Sequence, residues 1–278
     1  RSKRIAPGRD DKILTSWNGL MISAFAKGYR ISGLNEFLDA TQNCITFIEE
    51  KLTKNGKLLR TYKNGQAKLM AYLDDYVYFV NALLDVFEIN PDAKYLDLAV
   101  KHADYLIDHF WDESENNFFF TADDHEKLII RTKNLYDLSL PSGNSVAAYA
   151  FLKLYHLTQD KKFLDVSTKI MESLAIMAAE NPFGFGQLLN AMYLYLKKPI
   201  EITLLNTKDH EIYYALVKKF LPESIFVTIR NKEQLTKLAN YQFFAGKQFD
   251  KNKTIVFVCK DFTCSLPLDN LSEIEKLI

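Results

Sequence analysis

The chain has 278 residues, enough for one large domain or two modest ones. Its 35 Lys and Arg balance 35 Asp and Glu, so there is no net field to hold a polyanion, which excludes nucleic acid as the main partner. A hydrophobic fraction of 48% with 25% charged residues excludes wholesale disorder, and no run of about 18 apolar residues offers a membrane span.

Residues 1–11 contain no methionine and read as an interior stretch of a longer protein. The first helical stretch, 20–31, is apolar nearly all round, and the next, 36–52, is amphipathic. Residues 57–62 and 67–73 flank Lys63-Asn64-Gly65-Gln66, a hairpin signal. Then comes a second apolar stretch, 76–89, and a second amphipathic one, 94–110, with Tyr95, Leu98, Ala99, His102, Tyr105, Leu106 and His109 at helical spacing. A further hairpin is expected where 118–121 and 127–131 flank Asp123-Asp124-His125. The pair 146–157 and 162–177 repeats the pattern, and 187–196 opens a fourth unit.

The triplets Phe37-Leu38-Asp39, Tyr95-Leu96-Asp97 and Phe163-Leu164-Asp165 mark the repeat, each opening an amphipathic helix after an apolar one. Each unit is therefore an α-hairpin with a buried inner and an outer helix. Stacked units of this kind make a closed α/α toroid or a solenoid, and the long hairpin-bearing connections favour the toroid. Composition changes at Pro199: strands at 201–206, 225–229 and 254–259 alternate with helical segments at 210–220, 231–238 and 271–278. The division is thus 1–198, an α/α-hairpin toroid portion, and 199–278, a small α/β unit with some parallel pairing. The turn Asn206-Thr207-Lys208-Asp209 lacks the glycines of a dinucleotide site.

The unusual residues stand just before the inner helices: Asp10-Asp11-Lys12 with Trp17-Asn18-Gly19, then Asp74-Asp75, then Asp137 through Ser142-Gly143-Asn144, then 181–186. Equivalent places in the repeat meet on one rim, where carboxylates, amides, a lysine and aromatics suit a small-molecule site. Plain N-capping, about 1 kcal/mol for each residue, is the alternative. Trp17 is either core or a flat face for stacking a sugar ring. The carboxylates exceed the two that a glycosidase acid/base pair needs, and an epimerase or isomerase needs one base and one acid. Arg60, Arg131 and Lys133 face an acidic ligand group or are exposed strand charges. The five histidines show no metal spacing, His102 and His109 fall away from the rim, and neither a metal nor a cofactor is expected. Cys259 and Cys264 are read as buried free thiols, with a disulfide or redox pair as the alternative, and Cys44 as core; three cysteines fit a reducing, cytoplasmic setting.

The ordered set Asp10–Ile22, Leu73-Asp74-Asp75-Tyr76, Arg131-Thr132-Lys133 with Asp137, Pro141-Ser142-Gly143-Asn144-Ser145 and Cys259 through Cys264 resembles the YyaL / spermatogenesis-associated protein 20 family. The resemblance implies a thioredoxin-like domain, absent from this chain, followed by a six-hairpin (α/α)6 toroid similar to six-hairpin glycosidases and N-acylglucosamine 2-epimerases. This chain would hold part of that ring. An incomplete ring exposes inner-helix faces, so a homodimer through the open edge is expected. The first functional expectation is a carbohydrate-related enzyme or sugar-binding toroid. In it Asp74, Asp75 and Asp11 are the catalytic candidates, and Asp10, Lys12, Trp17, Asn18, Asp137, Ser142, Asn144 and Arg131 are the substrate-binding ones. The second is a non-catalytic scaffold serving the thioredoxin-like domain.

Overall fold

The structure, a computed structural model, describes residues 4–5, 8–126 and 129–278. In chain order its elements are β1 (Ile13–Leu14), α1 (Thr15–Ser32), α2 (Asn35–Lys51), β2 (Thr53–Lys54), β3 (Lys57–Lys63), β4 (Gln66–Met70), α3 (Leu73–Ile89) and α4 (Ala93–Phe110). After these come β5 (Trp111–Asp112), β6 (Asn117–Phe118), α5 (Gly143–Thr158), α6 (Lys161–Glu180) and α7 (Gly186–Lys197). The chain continues with β7 (Ile200–Leu205), α8 (His210–Lys218), β8 (Ser224–Ile229), α9 (Lys232–Lys237), β9 (Ile255–Lys260), β10 (Thr263–Cys264) and α10 (Leu271–Glu275).

Helices α1, α3, α5 and α7 pack side by side as an inner row, and α2, α4 and α6 back them on the outside. The aromatic excess fills the space between the rows: Tyr76, Phe79, Phe87, Tyr95, Phe110, Phe151 and Phe163 are fully buried. Helices α1, α3 and α5 begin three to five residues earlier than their apolar stretches suggest, so Trp17, Asn18, Asp74, Asp75 and Asn144 lie in first turns, while Asp10, Asp11, Lys12, Asp137 and Ser142 precede the helices. The polar groups of the first turns are used there. Asn18 donates back to the Leu14 carbonyl, and Asp75 accepts from the Tyr72 amide that starts α3. Two glycines set the close approach at this end. A Cβ on Gly19 would lie 2.8 Å from the Tyr78 backbone, and one on Gly143 2.5 Å from Leu73 Cγ.

Among the described residues no strand pairing joins 118–121 to 127–131, where a hairpin is expected. Phe118 pairs back to Trp111, Asp123 hydrogen-bonds to the His109 carbonyl, and residues 127 and 128 lie outside the described residues. The short loop at 113–116 closes β5 onto β6, and beyond it the Phe120 amide donates to the Thr132 carbonyl at 2.8 Å. Cys259 and Cys264 are not free thiols but a disulfide, because the β9–β10 hairpin sets them directly opposite one another. Cys44 is free and half-buried.

The C-terminal sheet runs β10-β9-β7-β8, with β7 and β8 parallel and the other pairs antiparallel. Its two faces alternate with period two. Ile200, Ile202, Leu204, Phe226, Val256 and Val258 pack with α8 and α10, whereas Leu205, Ile225, Val227, Ile229 and Phe257 join the core of the helical part. The sheet lies against the C-terminal ends of α1, α3 and α5. What remains exposed is the flank of α1 (Trp17, Met21, Ile31) and the flank of α7 (Leu189, Tyr193, Leu196). Among the described residues no helix is long and apolar enough to cross a membrane.

Candidate functional site

The start of α3 holds the densest chemistry. Asp75 is completely buried, and both its oxygens are taken. Oδ1 accepts from the Ser16 amide at 2.9 Å; Oδ2 accepts from the Tyr72 amide at 2.9 Å and from Arg60 at 3.2 Å. It ties α1, β3 and α3 together. Burial pushes its carboxyl upward, with Arg60 opposing. Arg60 lies over the Tyr72 ring, 4.6 Å from its centroid.

Asp74 is different. It is half-buried, and its Oδ1 is enclosed without a hydrogen-bond partner among the described residues. Burial first and the neighbouring Asp75 second push its carboxyl up to about 6, against the Arg60 charge and the nearby Gly143 amide. Tyr78, one turn further on, feels the Asp74 and Asp137 carboxylates and, buried as it is, is pushed upward; its hydroxyl donates to the Pro141 carbonyl. A carboxyl poised near neutral pH can give or take a proton.

The other predicted residues divide between two places. Lys12, Trp17 and Asn18 line a cleft of about 380 Å³ with Ile13, Leu14, Cys44 and Phe47, where Trp17 stands 62% exposed. Asn18 also accepts from the Cys44 thiol at 3.4 Å. Lys12 separates this cleft from a second, of about 350 Å³, lined by Thr61, Lys63, Asn64, Gln66 and Lys68. Asp10 pairs with Lys12 and Asp11 with Lys63; these exposed hydrogen bonds hold both carboxyls below their usual range.

The remaining residues hold loops. Asp137 accepts from the Ser142 and Gln187 amides, each at 2.7 Å, joining the starts of α5 and α7. Ser142 caps α5. Asn144 is fully buried, with its side chain bonded to both backbone groups of Phe118 and to the Asn134 carbonyl. Arg131 donates to the Thr121 and His109 carbonyls and lies over Phe119. Lys133 pairs with Asp112 and Glu115.

Two clusters escape the sequence reading. His109 ends the outer helix α4 and so lies among the inter-helix loops; its Nδ1 is 2.8 Å from Asp123, and Asp124 completes a group whose ligand atoms lie within 4.8 Å. Lys57 already pairs with Asp124, and Tyr105 donates to it, so the group is an ion-pair network with its own cation. The second cluster is a polar stripe on the inner row: Ser23, Lys27 and Arg30 on α1; Asn81, Asp85 and Glu88 on α3; Tyr149, Lys153 and His156 on α5. Lys153 bonds Asp85 at 3.0 Å and also Glu88, Arg30 bonds Glu88 and the Phe226 carbonyl, and His156 lies 2.8 Å from Glu201. The common spacing of four and then three was the signal available. Asp74 and Glu88 lie on the same helix, fourteen residues or about 21 Å apart, so this stripe forms the far end of the row from Asp74.

The architecture is that of the six-hairpin α/α toroid. Solved structures with this fold include a GH76 alpha-mannanase of Bacteroides thetaiotaomicron (TM-score 0.53, 15% identity, 86% of this chain and 70% of that one). A sugar epimerase from a ruminal bacterium is similar at TM-score 0.50 and 15% identity, over 59% of this chain and 44% of that one. Identities this low establish the fold alone. No protein-family model matches the chain. By sequence it is homologous along its whole length to part of spermatogenesis-associated protein 20 of Homo sapiens, 23% identical over all of this chain and 37% of that protein. Uncharacterized protein B0495.5 of Caenorhabditis elegans is 25% identical over all of this chain and 39% of its own length. The chain thus spans less than two-fifths of the curated relatives it matches.

Proposed function

We propose that this chain forms part of a carbohydrate-acting toroid in which Asp74 transfers the proton. The observation that carries the reading is the Asp74 carboxyl, raised to about 6 at the start of an inner helix with one oxygen unpartnered. Glycoside cleavage needs a second free carboxylate, and sugar epimerisation or isomerisation a second acid or base. Asp75 does not supply it, because three donors already occupy its oxygens. On this reading the partner group comes from ring segments that the longer relatives possess. Trp17 and Asn18, in their separate cleft, would serve an outlying sugar unit. A cytoplasmic location belongs to the same proposal, and the Cys259–Cys264 disulfide fits it if it is exchangeable.

The test is a thermal-shift screen of the chain and of its full-length parent against mono- and disaccharides, amino sugars and sugar phosphates. A ligand at 100 times its dissociation constant stabilises by about 2.7 kcal/mol. A shift that Asp74→Asn abolishes supports the reading. The engagement of Asp75, Asp137, Ser142 and Asn144 in loop-holding bonds supports a second reading, a non-catalytic scaffold. The absence of any shift in the full-length protein would favour it.

A further inference from the structure

We propose that Cys259 and Cys264 are a thiol–disulfide exchange site, with Cys264 as the attacking sulfur and Cys259 as the resolving one. Three independent features of the fold support the assignment. The two cysteines are a cross-strand pair of β9 and β10, joined by a two-residue turn whose Asp261 and Phe262 both have positive φ (49° and 60°). Their accessibility is opposite: Cys259 is completely buried and Cys264 is exposed. A reagent in solution therefore meets only one sulfur, and the other is kept for the internal step.

The third feature is Lys247. Its Nζ lies 3.8 Å from Cys264 Sγ, between the rings of Phe243 and Phe257, and also donates to the Phe243 carbonyl. No carboxylate among the described residues comes within ion-pair distance of it. Burial pushes this ammonium down to about 8, against the longer-range pull of Glu201. A cation held against a thiol stabilises the thiolate, the nucleophilic form. The other charged groups facing the hairpin are Glu201 with His156 on the helical side, the Lys198–Asp261 pair at the turn and Lys260 on β9.

In the forward direction the Cys264 thiolate attacks one sulfur of a disulfide R–S–S–R. The S–S bond breaks, RS⁻ leaves and is protonated by solvent, and Cys264–S–S–R forms. Deprotonated Cys259 then attacks Cys264 Sγ and expels the second RS⁻. Two electrons pass from the dithiol to R–S–S–R, giving the internal disulfide and two RSH. A dithiol reductant reverses the sequence. The turn carries Phe262 onto the rings of His156 and Tyr155, so the exchange takes place beside the end of α5.

The experiment uses the folded chain, checked by circular dichroism, in buffers of graded reduced and oxidised glutathione with acid quenching and mass spectrometry. The pair should interconvert without denaturant, and Cys259→Ser should trap glutathione on Cys264. At pH 7 iodoacetamide should label reduced Cys264 about tenfold faster than Cys44, whose half-buried thiol is pushed up by burial. Lys247→Met should slow that labelling severalfold and move its pH midpoint upward, and Lys247→Arg should restore it. A pair that yields to reductant only in denaturant, or a Cys264 labelling profile unchanged in Lys247→Met, would overturn the proposal.

Discussion

Replacing Lys153 with methionine removes one cation from a buried quartet. The Lys153 side chain is 4% exposed and bonds two carboxylates, Asp85 at 8% and Glu88 at 5%. Glu88 keeps Arg30 in the variant, whereas Asp85 keeps hydrogen bonds from Asn81 and Ser23 and only the more distant charge of Lys27. Breaking a buried pair on one side costs about 3–5 kcal/mol, because the remaining charge is stranded. The sign with pH follows from Asp85. Burial opposes its charge, yet Lys153 holds its carboxyl below the ordinary value. In the parent that stability is present above the unfolded carboxylate pKa and is lost as pH falls through the lower folded one. In the variant the largest opposing charge is gone and only Lys27 and Ser23 still counter burial, so the Asp85 pKa moves upward and protonation relieves the strain as pH falls. Urea unfolding should therefore show a loss of about 3 kcal/mol or more at pH 7 that shrinks at pH 5. The double variant Lys153→Met, Asp85→Leu should recover most of it, less about 1 kcal/mol for the lost Asn81 bond. A loss under about 1 kcal/mol at pH 7, or one that does not shrink with acid, would refute the stranded-charge reasoning.

Asp74→Asn should stabilise the chain above pH 6 and not below pH 4. The raised carboxyl gives stability that is complete below its unfolded pKa and lost as pH rises through about 6, a span worth about 3 kcal/mol that thermal unfolding against pH will read. Gly143→Ala drives a Cβ to 2.5 Å from Leu73 Cγ and 2.8 Å from Asp74 Oδ1. It should cost about 1–3 kcal/mol by calorimetry and remove any sugar response. Trp17, Met21 and Ile31 are 62%, 52% and 68% exposed along one flank of α1, which predicts concentration-dependent self-association. Sedimentation velocity should show it reduced in Met21→Glu, Ile31→Glu, and a monodisperse parent would count against it.

Much of the fold was legible because hydrophobic period survives without tertiary information. The apolar 76–89 and amphipathic 94–110 segments became α3 and α4 almost unchanged, and Asn64-Gly65 turned the β3–β4 hairpin as its turn chemistry requires. The first turns were misjudged, because Asp75 and Asn18 look like residues outside a helix until their partners are known: the Tyr72 and Ser16 amides that donate to Asp75, and the Leu14 carbonyl that accepts from Asn18. Composition also concealed the polar stripe. Against apolar helices, Asp85, Glu88 and Lys153 read as incidental charges, although their spacing was in view.

The sequence by itself determined the repeat, the inner and outer helices and three strands of the C-terminal sheet with parallel pairing among them, since each follows from local periodicity and turn residues. It also nominated Asp74 and Asp75 together, and local sequence cannot tell them apart. Only tertiary structure did so: Ser16 and Arg60, distant in the chain, saturate Asp75, while burial beneath α5 and the adjacent Asp75 raise Asp74 against Arg60 and the Gly143 amide. The same holds for Cys264 and Lys247, and for Arg30 and Lys153 across Glu88. A side chain's charge state depends on what the folded chain brings within a few ångströms of it, and that neighbourhood is fixed by packing rather than by sequence neighbours.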